Sequence, residues 1–499
     1  MTESMRALGN RPLCLPLLLS AFIMVAAPLR AVRPQQPAPL ARAERVLDSI
    51  LADGAPGAAV VIVHNGRVVL NRGFGTGNIE TGAPVTPDMV FRVAVACQPL
   101  LALTLLSMAE QGKIDLHAPI GRYVRGLSPK LAMVTTHQLL AGTSGIRNDH
   151  PAFPLNGDSA LGRAIRAWTD TMLIANPGEI SSISNPAFQV AGLVIEEISG
   201  KPFSRAMAEG LIHDLGMMRT SYNPALAMTY PISQGHSIAR GKRATVVRPF
   251  NFGVFGWPRS DLFSSGSDLS RLMLAIVNEG KLDARQVLSP GVIRRFSESV
   301  TVRDGRPGVE RRSGYGITIR EYRGVRFLSN TSGWGGNNGL LQLAPDHGFG
   351  ILILSNGRAP QATIAERVME LMLPLTPRPP LRAPSISLLT PLQMAEMAGV
   401  YENERTVTLF SKDGKMFARE EMTPANRARA PDGRGVVGAF RGVVGAFSMW
   451  DVDLLVMGVQ PDEVAILMPD GRNVPAEIIR DAQNRVVYLR IEGRALRKR

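Results

Sequence analysis

The order of local patterns along the chain constrains its fold more than any single motif. Residues 57–75 read GAAVVIVHNGRVVLNRGFG, two β-rich runs about Asn65-Gly66. Asn-Gly supplies the left-handed pair of a type I′ turn, so this segment reads as a hairpin. Helical patterns follow. Ala41–Ala52 is amphipathic, Leu100–Gln111 is closed by Gly112, and Ala187–Ile198 is stopped by Ser199-Gly200. Ser265-Gly-Ser-Asp268 before LSRLMLAIV is a variant capping box at a helix start. Strand character returns at Gly348–Leu354. A hairpin first, helices in the middle and strands last predict a mixed sheet in which the two ends of the domain meet.

Thr376–Pro384, TPRPPLRAP, is rich in proline and reads as a semi-rigid linker. Beyond it the pattern becomes all-β: VTLFSKDGKMFAR alternates about Asp413-Gly414, DLLVMGV and EVAILM are apolar runs, and VVYLRIEG follows. The heptapeptide RGVVGAF occurs twice, at 434–440 and 441–447. Seven is odd, so two copies in one straight strand would turn opposite faces inward; a bulge, a loop or a duplication accounts for the repeat better than a repeat architecture. The plan is thus a segment 1–33, a mixed domain over 40–375, a linker over 376–388 and a β-barrel-like module over 389–499.

Arg6 and Arg11 precede an apolar run from Pro12 to Pro28, with Arg30 and Arg33 after it. The run is short for a bilayer span and has the layout of a secretory signal, cleaved or retained as an anchor. This points to an exported protein, periplasmic or extracellular. Cys14 lies in that run and leaves Cys97 alone, so the processed chain has no disulfide and no cysteine metal site. The net charge is +14, from 56 basic and 42 acidic residues, and the excess lies upstream of 389–499, where sixteen basic residues meet fifteen acidic ones. The basic residues are scattered rather than interleaved with aromatics, which argues against nucleic acid and for an anionic membrane or wall surface.

Several segments in order carry a resemblance: GAAVVIVHNGRVVLNRGFG, VFRVA, AEQGKIDLHAPIGRYV, LLAGTSGI, PGEISSISN, ISGKPF and LGM. Together they resemble the serine β-lactamase and penicillin-binding-protein-like hydrolases, in the class C β-lactamase and esterase branch, over roughly 40–357. The resemblance implies an α+β fold, β-lactamase/transpeptidase-like: an antiparallel sheet flanked by helices, with a helical subdomain. The Pro-rich joint and C-terminal all-β module resemble extended members of the group.

The family's chemistry rests on a Ser-x-x-Lys at a helix start, a Tyr-x-Asn on a loop and a His- or Lys-[Ser/Thr]-Gly on a strand. One helical turn brings nucleophile and amine to the same face, and a backbone N–H completes an oxyanion hole. In FRVAVACQP the scaffold residues Phe91, Arg92, Ala94 and Pro99 fit, but Val95 stands at the nucleophile and Gln98 at the lysine. Ile183 takes the tyrosine position while Asn185 remains; Thr331 takes the basic position ahead of Ser332, Gly333 and Trp334. No Ser-x-x-Lys, His- or Lys-[Ser/Thr]-Gly or Gly-x-Ser-x-Gly occurs elsewhere. Tyr401-Glu-Asn403 is the sole Tyr-x-Asn and reads as a chance match in the β-module.

Other residues read as structural. Cys97 lies about 200° round the helix from Val95 and is expected to be a buried, inert thiol. Ser144 belongs to a turn. Ser182 and Ser184 are the substitute nucleophiles to weigh, Ser233 and His236 are a Ser/His pair at one-turn spacing, and the histidines show no metal-ligand spacing. The expected protein is therefore a binding member of the family with no intact catalytic residue, no cofactor and no metal. Asn185, Ser332, Gly333 and Trp334 line its site, and the ligand is a peptide, a peptidoglycan-like fragment or a small ester or amide. The alternative is an active serine hydrolase using substitute residues. Val95 is expected in the first turn of the Leu100 helix, facing Ile183 and Thr331, with Gln98 bonded to Asn185.

Overall fold

The computed structural model describes residues 38–148, 157–238, 243–248, 256–306, 309–378, 386–422, 453–469 and 472–499. The apolar N-terminal run, the tandem heptapeptide, His150 and residues 379–385 of the linker lie outside the described residues.

Nine strands form the main sheet: β1 (Gly57–His64), β2 (Arg67–Asn78), β3 (Ala83–Pro84), β4 (Thr301–Arg306), β5 (Val309–Ser313), β6 (Thr318–Tyr322), β7 (Val325–Trp334), β8 (Asn337–Ala344) and β9 (Phe349–Ser355). Their order is β4-β5-β6-β7-β8-β9-β1-β2-β3. The two ends of the domain meet, since Ala58 pairs with Ser355 and Val63 with Gly350. Asn65 and Gly66 turn the first hairpin at φ of 51° and 67°. The sheet is not mixed: every neighbouring pair is antiparallel. Strands β4 to β9 follow one another through short connections, which join only antiparallel neighbours, and most of the helices lie in one excursion between β3 and β4.

Four helices cover the two faces. Helices α1 (Ala38–Leu47) and α5 (Gln361–Met372) pack on one face with Ala58, Val60 and Ile62; α2 (Ala94–Glu110) and α4 (Gly266–Val277) pack on the other with Ala59, Val61 and Val63. Strand β1 is thus buried on both sides, while α3 (Asn185–Ser199) belongs to the helical part beside α2. Ser265 caps α4 by accepting from the Asp268 N–H, and Gly200 ends α3 in the left-handed region at φ of 64°. Helix α2 begins at Ala94, six residues before the expected Leu100, and carries Pro99 inside it.

The C-terminal module is a closed eight-stranded barrel. Helix α6 (Pro391–Met397) leads into β10 (Gly399–Glu402), β11 (Arg405–Lys412), β12 (Lys415–Met422), β13 (Leu454–Gln460), β14 (Glu463–Leu467), β15 (Asn473–Arg480), β16 (Val486–Ile491) and β17 (Arg494–Lys498). Tyr401 of β10 pairs with Lys498 of β17 and closes the ring. Val407, Leu409, Met416, Val456, Ile466 and Leu489 share its own apolar core with Met394 and Met397 of α6. Strand directions place α6 and the Asp413-Gly414 turn at one end, and the turns at Asn403-Glu404 and Glu492-Gly493 at the other.

Ile62 is fully buried in the central strand, whereas Val68 across the hairpin is 37% exposed. Ile62→Ala should lower the stability of this domain by about 2–5 kcal/mol, and Val68→Ala by no more than about 1 kcal/mol. Paired denaturant titrations check both values.

Candidate functional site

Pro99 determines the chemistry of the first turn of α2. A proline lacks the N–H that would bond the carbonyl four residues earlier, here that of Val95. Asn330 of β7 fills the vacancy, its Nδ2 donating to the Val95 carbonyl at 3.1 Å. The same side chain accepts from the Thr331 N–H at 2.9 Å. One amide thus ties helix start to strand.

Val95 itself is fully buried. It lies against Gly339 of β8 so closely that a Cβ there would meet Val95 Cγ1 at 2.9 Å and Ser332 Oγ at 3.0 Å. Ser332 pairs with Gly339 across β7 and β8. Asn330 and Ser332 therefore face α2, and the alternation of the strand turns Thr331 to the opposite face. Its cross-strand partner Leu340 packs with the α1 and α5 cluster. The expected opposition of Val95 and Thr331 is thus corrected: Ser332, one residue on, is the neighbour. Beyond Gly333, the Trp334 ring lies over the Arg92 guanidinium, with Cζ 5.6 Å from the ring centroid. Arg92 and Asp261 form a buried ion pair behind it, with an Nε to Oδ1 distance of 3.0 Å.

The other wall is built from amides. Gln98 Nε2 donates to Asn185 Oδ1 at 3.4 Å, the partner expected from the sequence. The Asn185 N–H donates to Asn148 Oδ1 at 2.8 Å, and the Asn148 N–H to Asn403 Oδ1 of the barrel at 2.9 Å. Asn403, fully buried, also donates to the Ala495 carbonyl, and Arg147 donates to its carbonyl at 3.0 Å. The barrel thus abuts the half-buried Ile183, whose N–H donates to the Gly493 carbonyl at 2.9 Å. Tyr401-Glu-Asn403 lies in the barrel, as expected of a chance match to the motif, and its Asn403 helps hold the barrel to this wall. Tyr401 points into the barrel and donates to the Met397 carbonyl.

The remaining candidates are structural. Ser184 caps α3, accepting from the Ala187 N–H and donating to the Arg147 carbonyl. Ser182 accepts from the Ala495 N–H at 3.0 Å. Both are buried. Ser144 accepts from the Ile146 N–H in its turn. Cys97 is buried, donates to the Val93 carbonyl, and burial pushes its thiol far up. Ser233 and His236 do not bond each other; the Asn356 side chain donates to Ser233 Oγ and its carbonyl meets His236 Nδ1. His137 meets Tyr315 and packs at a tilt against His117, and burial, followed by His117, holds it below the usual imidazole range.

The β-lactamase family model matches residues 43–371, from α1 through the α2 site to α5. The chain belongs to the beta-lactamase family. Relatives include protein flp of Staphylococcus aureus strain N315, 25% identical over 233 residues, 45% of this chain and 46% of that protein. Esterase EstB of Burkholderia gladioli is 26% identical over 275 residues, 47% of this chain and 69% of that protein. The chain spans about half the length of the flp proteins it matches. Among solved structures, SurE superposes with a TM-score of 0.72 at 20% identity, covering 93% of this chain and 98% of SurE, so the likeness takes in sheet, helices and barrel.

Two measurements probe this geometry. Asn330→Ala should cost about 1–3 kcal/mol, because the buried Val95 carbonyl loses its donor, and adding Pro99→Ala should recover part of it by restoring a helical N–H. A denaturant double-mutant cycle gives the coupling. At the barrel contact, Tyr488 donates to Glu179 at 2.9 Å, and burial first and this bond second push its phenol up to about 12. The neutral phenol is the bonded form, so its contribution holds below pH about 10 and is lost as pH rises through about 12. The difference titration at 295 nm between wild type and Tyr488→Phe should show that late midpoint.

Proposed function

We propose that this chain is a non-catalytic member of the beta-lactamase family whose cleft binds a ligand instead of cleaving it. The observation that carries the reading is the first turn of α2: Val95, at the position of the nucleophile, is fully buried against Gly339. An acyl-transfer unit works as a whole, and loss of either nucleophile or base removes most of its rate. Here Val95 and Ile183 have no proton to give or take, and Gln98 is an amide already bonded to Asn185.

The group of substitutions is coherent physically. Replacing one member of a Ser, Lys and Tyr cluster strands the others, at about 1–3 kcal/mol for each buried polar group left without a partner. Replacing the set by Val, Gln and Ile leaves an apolar floor and a neutral amide wall. Asn185, Ser332, Gly333 and Trp334 remain as the ligand-facing groups, suited to the amide and carbonyl groups of a peptide, a peptidoglycan-like fragment or a small ester or amide. The basic excess and the secretory layout of the N-terminal run favour work outside the cytoplasm, in the periplasm or at an anionic membrane or wall surface. The alternative, hydrolysis through a substitute serine, is weakened by the positions of Ser182 and Ser184, which are buried and engaged in scaffold bonds.

Purified protein should neither hydrolyse nitrocefin or a reporter ester nor take a fluorophosphonate label. Val95→Ser alone should stay inactive, because no base stands beside it; Val95→Ser, Gln98→Lys and Ile183→Tyr together should give trace esterase turnover. Hydrolysis by the unmodified protein, abolished by changing one serine, would overturn the reading.

A further inference from the structure

We infer that the C-terminal barrel is a detachable cap, which docks on the Ile183 wall of the cleft and lifts from it as a unit while both domains stay folded. The inference does not depend on what the cleft binds or on whether it is catalytic.

The argument begins with the cores. The barrel closes its own hydrogen-bonded ring and fills its own interior, so it needs no apolar surface from the first domain. Among the described residues, the apolar cluster shared between them is small: Ile174, Ala175 and Ile180 against Tyr488 and Ala495, with Ile479 and Val487 packed on it. Otherwise the contact is a set of hydrogen bonds, centred on Asn403 and on the Gly493 to Ala495 run. Intrachain interfaces of this kind open as a rule, unless they are large and apolar.

Two ion pairs at the docked end lie wholly within the barrel. Glu404 bonds Arg494 at 3.2 Å and Glu420 bonds Arg405 at 3.4 Å, so these charges hold one another whether or not the first domain is present. The chain enters the barrel through α6, at the opposite end from Asn403 and Gly493. Lifting would expose Arg147, Asn148 and residues 182–185, the polar wall that leads to Asn185. Access to the cleft is then set by a docking equilibrium, and anything that binds this wall more tightly when the barrel is off shifts the chain towards the open form.

Hydrogen exchange on the full-length protein tests this, followed at the Ile183 and Ala495 amides, with Leu103 to Leu106 of α2 and Val407 to Leu409 of β11 as controls. In the wild type, the two interface amides should exchange at least about 100-fold faster than either control set. In an Arg147→Ala, Tyr488→Phe variant they should quicken about tenfold more with both controls unchanged. Exchange of Ile183 and Ala495 at the control rate in the wild type would overturn the proposal. If the variant lost control protection as well, the wild-type comparison would decide alone. A second arm places a thiol reporter on the wall by Ile183→Cys: maleimide labelling should be faster in the variant background than in the wild type, and equal rates would overturn the capping of the cleft.

Discussion

The geometry of the site depends on one missing hydrogen bond. Pro99 denies the Val95 carbonyl its helical partner, and Asn330 reaches across from β7 to supply another. An unpaired carbonyl at this depth would cost more than an average hydrogen bond returns, so helix and strand are fixed relative to one another at this point. That anchor sets the close approach of Val95 to Gly339, where no larger residue fits. It also sets which residues of β7 look into the cleft, because one register places Asn330 and Ser332 on the α2 side and Thr331 on the other.

Neutral amides line one side of the site. Gln98, Asn185, Asn148 and Asn403 form a sequence of neutral contacts running from α2 into the barrel. Amides keep the same donors and acceptors across the physiological pH range, so the positions these contacts hold do not vary with pH there. Behind them Arg92 and Asp261 brace Trp334, and Ser184 starts α3.

Much of this was legible in the sequence because it rests on local patterns. Asn65-Gly66 and Asp413-Gly414 specify their hairpins, and Ser265 and Gly200 mark helix ends. The ordered segments about FRVAVACQP and PGEISSISN locate the family and the altered positions. Gln98 and Asn185 could be paired in advance because the family template brings those two positions together. The helical pattern shows from Leu100, while α2 starts at Ala94, and Val95 lies in its first turn as expected. A carbonyl donor from a strand more than two hundred residues away leaves no trace in local periodicity.

The sequence by itself determined the elements, their order, the family and the identity of the residues at each chemical position, since these follow from side-chain type, spacing and short-range turn chemistry. Tertiary structure alone decided which of those residues meet. It turned Thr331 away and Ser332 inward, through a register that the whole sheet shares. It made Asn403 one of the contacts between the barrel and the first domain, and it engaged Ser182 and Ser184 in scaffold bonds. These outcomes depend on long-range packing and pairing, where one residue of shift exchanges the faces of a strand, and no window of sequence contains both partners.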